Sequence, residues 1–271
     1  MLGQWLLKRV GVQCLAGLIA LAAANAQPST DYQPSVGQEG KDVVWVPTSD
    51  AIVGRMLDLA QVTSADYVID LGSGDGRTVI AAAARGAKAL GIEYEQAMVD
   101  LSIQNAAKAG VSDRANFIKA DLFETDFSRA TVVTMFLLTN INMRLRPRIL
   151  DMKPGTRIVS NTFTMEDWVP DRTAEAPSSE CKSYCRALFW IVPAKVAGTW
   201  RLGDGELTLE QTFQTVSGTL RSGDVVSPVT GRLKGEEITF TAGDRTFTGR
   251  VSGGAIEGAS GSGPAWRATR P

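Results

Sequence analysis

The chain has 271 residues, enough for one large domain or a medium domain with a smaller companion, and its 44% apolar and 21% charged residues are ordinary for a soluble globular protein. A formal net charge of −1 gives no electrostatic footprint for nucleic acid. The absence of any histidine excludes Ser-His-Asp catalysis, His-ligated metals and an imidazole base.

At the start of the chain, Lys8 and Arg9 precede an apolar run over 10–24 broken only by Gln13, and Ala24-Asn25-Ala26 follows as a small-x-small site. This pattern predicts a secretory signal over 1–26, cleavage after Ala26, and a body exported to the periplasm with no stable membrane span. The other reading is an uncleaved anchor or cytoplasmic retention, although the run is shorter than the ~20 residues a spanning helix needs. Loss of the signal removes Cys14 and leaves Cys181 and Cys185. Such a close pair suits a local disulfide in an oxidising compartment, with two free thiols as the alternative. No other Cys or His remains to complete a metal site.

Residues 27–42 are polar, carry Pro and Gly, and read as an extended lead. An apolar run over 43–46 ends at Pro47, after which Thr48, Ser49 or Asp50 can cap a helix whose face carries Ile52, Met56, Leu59 and Ala60. Residues 66–71 form an apolar run long enough for one buried strand. It ends in Gly72, Gly74 and Gly76, and an alanine-rich helical pattern follows at once. A strand, a glycine turn and a helix start make a nucleotide-binding corner, where backbone can approach a ligand closely and helix N–H groups favour polar or anionic groups. The spacing is GxGxG, preceded by Asp70, and not the GxGxxG of dinucleotide enzymes.

Further along, a strand over 88–93 ends at Glu93, and a helix over 95–109 is stopped by Gly110. Strands are predicted over 116–119 (with Asp121 following), 131–137 and 157–161, and a helix over 142–152 precedes the Pro154-Gly155 turn. Alternating strands and helices argue for a mostly parallel α/β sheet. Residues 165–186, poor in apolar residues, read as an insertion or long loop, and 186–191 as a last strand. From Gly198 the pattern becomes short alternating strands between glycine turns, the first of them ELTLEQTFQTV. This predicts an antiparallel meander or small barrel of about seven or eight strands, with Trp200 and Trp266 packing near its ends. The expected division is therefore a leader (1–26), a lead (27–42), an α/β domain (43–195) and a small all-β domain (196–271).

The GxGxG turn, with Asp70, Glu93 and Asp121 at successive strand ends, resembles motif I and its partners in the class I, seven-β-strand S-adenosylmethionine (SAM)-dependent methyltransferases. Residues 43–197 as a whole resemble bacterial relatives of the ATP synthase c-subunit lysine methyltransferases. The match runs through VWVPT (44–48), DLGSGDGR (70–77), GIEYE (91–95), VSDRANFIKADLFETDFS (111–128), TVVTMFLL (131–138), PGTRIVSNTF (154–163) and DWVP (167–170). The resemblance implies a Rossmann-like sheet, SAM as methyl donor and a protein lysine as acceptor. It implies that Asp70, Gly72, Gly74, Gly76, Glu93 and Asp121 hold the cofactor, Glu93 at the ribose hydroxyls and Asp121 at the adenine amino group. It further implies that Pro47 and Thr48 border the acceptor channel, with Thr134 and Phe136 on the opposite wall. Phe136 stands where the family often has tyrosine, and Asn161 where histidine is common. No catalytic acid or base is implied, because a narrow apolar channel can lower a lysine's pKa by desolvation. Two other readings are a non-catalytic envelope protein that reuses the pocket and a small-molecule methyltransferase.

Overall fold

The structure is a computed structural model, and it describes residues 32–259 and 265–271. The expected leader over 1–26 and the first residues of the lead lie outside the described residues.

Ser49 starts the first helix: its backbone is extended and its side chain accepts from Ile52 N at 3.4 Å, so the cap falls on one of the three candidates. The α/β layer then runs α1 (Asp50–Leu59), β1 (Tyr67–Leu71), α2 (Arg77–Ala84), β2 (Lys88–Glu93), α3 (Gln96–Lys108), β3 (Ala115–Lys119), β4 (Val132–Met135), α4 (Thr139–Leu150), β5 (Arg157–Asn161), β6 (Arg172–Glu175) and β7 (Arg186–Ile191). Among the described residues these strands form a seven-stranded sheet of order β3-β2-β1-β4-β5-β7-β6. The first five are parallel, β7 runs antiparallel to β5, and β6 pairs antiparallel with β7.

The sheet is covered on both faces because its strands are apolar on both. Val68, Val132 and Val159 pack in one cluster with α1, α2 and α3. Their neighbours Ile69, Val133 and Ile158 point the other way, against Ile141, Leu145 and Ile149 of α4. The predicted strands fall within a few residues of the observed ones. One expectation needs correction: the stretch 165–186 is not wholly a loop, since it contains β6. That strand pairs only with β7 and its residues are mostly exposed, so its sequence lacks the apolar signal of a core strand.

The C-terminal part is a closed barrel among the described residues: β8 (Gly198–Leu202), β9 (Gly205–Thr212), β10 (Thr215–Ser222), β11 (Val225–Lys234), β12 (Glu237–Ala242), β13 (Arg245–Ser252), β14 (Ala255–Ala259) and β15 (Ala265–Thr269). All neighbours are antiparallel, and the β15–β8 pair closes the ring. Alternate residues fill the interior, Trp200, Leu207, Phe240, Phe247 and Ile256 among them. Trp200 is fully buried and donates to Val196 O at 2.8 Å, while Trp266 meets Phe240 and Phe247 edge-on. At Gly218 the strands come so close that a Cβ would lie 1.9 Å from Thr208 O.

The run ELTLEQTFQTV is two strands, not one. Phe213 adopts a left-handed φ of 52° and makes the turn between β9 and β10, and its ring stacks on Trp168 with centroids 5.6 Å apart. That turn has no glycine to announce it. It also joins the barrel to the sheet layer, with Gln214 Nε2 donating to Val169 O at 2.8 Å, and two contacts outside the turn add to the join: Ala194 N to Gly235 O at 2.8 Å and Arg232 paired with Asp171 at 2.6 Å. No helix among the described residues is long and apolar enough to cross a membrane.

Candidate active site

The strand order reverses between β1 and β4, so the loops leaving β1 and β4 diverge and open a crevice at their C-terminal ends. A cavity open to solvent lies there. Its walls are the glycine turn, the ends of β1, β2 and β4, residues 120–122, and the lead from Gln38 to Thr48.

Left-handed backbone at Gly72 (φ 75°) and Gly74 (φ 54°) shapes the turn. Gly74 N donates to Glu93 Oε2 at 2.8 Å. The other oxygen, Glu93 Oε1, accepts from Tyr94 N at 2.8 Å and Glu95 N at 3.0 Å. One carboxylate therefore ties the glycine turn to the start of α3.

Asp70 is 5% exposed and accepts from Thr134 Oγ1 at 2.6 Å. Burial is the largest influence on this carboxyl, and the nearby Glu93 and Asp75 charges add to it. Together they outweigh the Thr134 hydrogen bond and push its pKa up to about 7. Asp121 behaves oppositely. The Lys41 ammonium and the Phe123 amide, at 2.8 Å, hold its carboxyl below the usual carboxylate range. Arg77 grips Asp75, with Nη2 2.6 Å from Oδ2, and donates through Nη1 to Thr48 O at 2.8 Å. Asn161 Nδ2 donates to Thr48 Oγ1 at 3.4 Å, so the end of the lead is held from both sides. Phe136 lines the cavity and packs its ring against Phe163 and Tyr184, at 5.8 and 5.1 Å between centroids.

Asp70, Gly72, Gly74, Glu93, Asp121, Pro47, Thr48 and Phe136 thus surround one cavity. Two expected positions do not line it. Gly76 begins α2 with φ 83°, and a Cβ there would lie 2.8 Å from the Phe117 ring and 2.9 Å from Ser102 Cβ. Here it packs the start of α2 closely against β3 and α3. Thr134 is fully buried, sits in register beside Asp70 on β1 and donates to its carboxylate. Cys181 and Cys185 are joined by a disulfide that closes the loop carrying Tyr184.

Sequence reasoning missed Lys41, Met98 and the covering role of Trp45, whose indole lies against Gly74. The lead is polar and aperiodic, and only the VWVPT match pointed there. The donor set fits a nucleoside-bearing ligand. The carboxylates of Glu93 and Asp121 line the cavity as acceptors suited to hydroxyl and amino donors, Tyr94, Met98 and Leu122 give an apolar wall, and the Ser73 hydroxyl is buried without a partner among the described residues.

A sheet of this order with an antiparallel β7 and a GxGxG turn at its switch point defines a class I methyltransferase. A family model described as the ANTKMT methyltransferase domain matches residues 70–172. A protein-lysine N-methyltransferase of Saccharolobus islandicus is 47% identical over 131 residues, which are 47% of this chain and 81% of that protein. The chain therefore belongs to this methyltransferase family. The mouse ATP synthase c-subunit lysine N-methyltransferase is 36% identical over 107 residues, and this chain spans only 43% of it. An RNA methyltransferase from Salinibacter ruber, solved with S-adenosyl-L-homocysteine (SAH), is 43% identical with a TM-score of 0.52, covering 56% of this chain and 96% of that one. The barrel, from Gly198 onward, lies outside the residues matched by the family model.

Proposed function

We propose that the protein is a SAM-dependent methyltransferase that methylates a lysine amine of a protein outside the cytoplasm. The observation that carries this is the cavity itself: Glu93, Asp121 and the glycine turn converge at the switch point of a sheet whose chain is 47% identical to a protein-lysine N-methyltransferase. In this reading Glu93 holds the ribose hydroxyls, Asp121 the base amino group, and Gly72 and Gly74 admit the backbone close to the ligand. SAM, when bound, supplies an electrophilic methyl group. The protein's own residues align and exclude water. Phe136, with Phe163 and Tyr184 behind it, gives an apolar wall that favours the uncharged form of an acceptor amine. Thr48, held by Arg77 and Asn161, offers a buried hydroxyl on the lead side of that wall.

A second acceptor class is RNA, which the description of the Salinibacter ruber relative names. The net charge of −1 offers little for a phosphate backbone and favours protein. The test is transfer of tritiated methyl from SAM into an envelope protein fraction and into RNA. Label that protease releases and ribonuclease leaves supports a protein acceptor; the reverse sinks it. In the same assay Glu93→Gln is expected to lower SAH affinity by about tenfold or more, because it removes charge from a carboxylate placed for paired hydroxyls. Unchanged affinity would refute the assignment of Glu93.

Export is supported by the charged–apolar–small pattern ending at Ala26 and by the Cys181–Cys185 disulfide. Intact-mass measurement of protein from its native host should place the N-terminus at Gln27, and a chain that retains Met1 would contradict cleavage.

A further inference from the structure

At one end of the cavity two recognition surfaces are engaged by a side chain of the protein itself. Asp121 presents a carboxylate and Tyr94 a ring face, the two features that a flat base bearing an amino group would use. The Lys41 ammonium takes both. It pairs with the Asp121 carboxylate and lies 4.6 Å from the centre of the Tyr94 ring, where the ring's negative face attracts a cation.

Lys41 is carried on a small strap. Gly37 N donates to Trp45 O at 2.8 Å and Trp45 N to Gln38 O at 2.9 Å, which closes residues 37–45 into a loop. At its foot, the Trp45 indole lies so close to the glycine turn that a Cβ on Gly74 would come within 2.7 Å of Nε1. At its tip, the hold is the Lys41–Asp121 pair, whose side chains are 35% and 22% exposed, with a long Asp42–Arg144 contact at 4.0 Å beside it. A partly exposed pair of this kind is weak and readily exchanged.

We propose that Lys41 is an intramolecular stand-in for the ligand's base, and that the strap over 37–45 covers this end of the cavity until the base displaces the ammonium from Asp121 and Tyr94. The inference rests on the nucleoside reading of the cavity. Its consequence is that Lys41 lowers affinity: the protein must break its own contact before it makes the ligand's.

The experiment is calorimetric titration of SAH into the purified protein, wild type, Lys41→Met and Lys41→Arg, combined with hydrogen exchange of the Gly37 and Trp45 amides without ligand. Lys41→Met should bind SAH about threefold more tightly, the scale set by one exposed pair, and Lys41→Arg should behave like wild type. Raising salt from about 50 to about 500 mM should tighten wild-type binding and leave Lys41→Met unchanged, since salt weakens only the competing pair. The two amides should exchange faster in Lys41→Met. Equal or weaker SAH binding by Lys41→Met overturns the proposal, because Lys41 would then be neutral or part of the ligand's own contacts. Wild-type protein that fails to bind SAH, while its amides still respond to Lys41→Met, overturns the nucleoside reading and the stand-in role with it. Tight wild-type binding with unaltered Lys41→Met overturns the stand-in role alone.

Discussion

Asp70→Asn should stabilise the protein at pH 8 by up to about 4 kcal/mol and do little at pH 4. The sign follows from the direction of the shift. The folded-state pKa, about 7, lies above the ordinary value of 3.8, so between these the folded protein keeps a proton that the unfolded chain has released. The stability that goes with this group is fully present below pH 3.8 and drains away as pH rises to about 7. Above that point the wild type carries a buried carboxylate whose one hydrogen bond comes from Thr134 and whose charged neighbours are Glu93 and Asp75. The amide is nearly isosteric, can accept from Thr134, and never ionises. The difference in unfolding free energy between variant and wild type should grow from pH 4 to pH 7 by at most about 1.4 kcal/mol per unit. A difference that does not change with pH would show that Asp70 titrates normally. The same carboxyl couples to ligand charge. A cation bound in the cavity would favour its ionised form, so SAM, a sulfonium, should release more protons on binding at pH 6 than SAH does. Titrations in buffers of different ionisation enthalpy read this directly.

Gly76→Ala should cost about 3–4 kcal/mol, the second large effect. Gly76 sits at φ 83°, and a side chain in left-handed backbone costs roughly 1–2 kcal/mol. The added Cβ would also lie 2.8 Å from the Phe117 ring and 2.9 Å from Ser102 Cβ, and overpacking of this kind costs about 1–3 kcal/mol. Phe117 has little room to retreat, since it also fills the space over Gly91, where a Cβ would come within 2.6 Å of the ring. Denaturant unfolding of Gly76→Ala, Phe117→Leu and the double variant separates the two parts. The double variant should regain the overpacking share and not the backbone share. If Gly76→Ala alone loses less than about 1 kcal/mol, then α2 can shift away from β3 and the packing account of this glycine is wrong.

Much of this could be read locally. The β1 and β2 runs are apolar on both faces because both faces are covered, and they give a strand signal without any partner being known. That Glu93 and Asp121 line one cavity was legible because a parallel sheet brings the C-terminal ends of its strands to one edge. Gly76 was legible as a special position but not in its packing against Phe117. Spacing marks a glycine without saying whether a ligand or a phenylalanine fills the space beside it. The β6 strand was invisible because an exposed edge strand has no buried face to pattern.

What the sequence by itself determined is the order of strands and helices, the bend after β1 and the chemistry at each strand end, since these depend on residues close together in the chain. What only the tertiary structure decided depends on residues far apart. The pKa of the Asp70 carboxyl is pushed up to about 7 by burial and by the charges of Glu93 and Asp75, against the opposing hydrogen bond from Thr134, 64 residues away. Asp121 is covered by Lys41 from 80 residues upstream, and Thr48 is tied to Asn161 across 113. The barrel closes only when β15 pairs with β8, and no repeat of short strands states which two ends will meet. Local sequence sets which conformations are cheap. Charge state, cover and closure are set by desolvation and by contacts that exist only once the chain has folded.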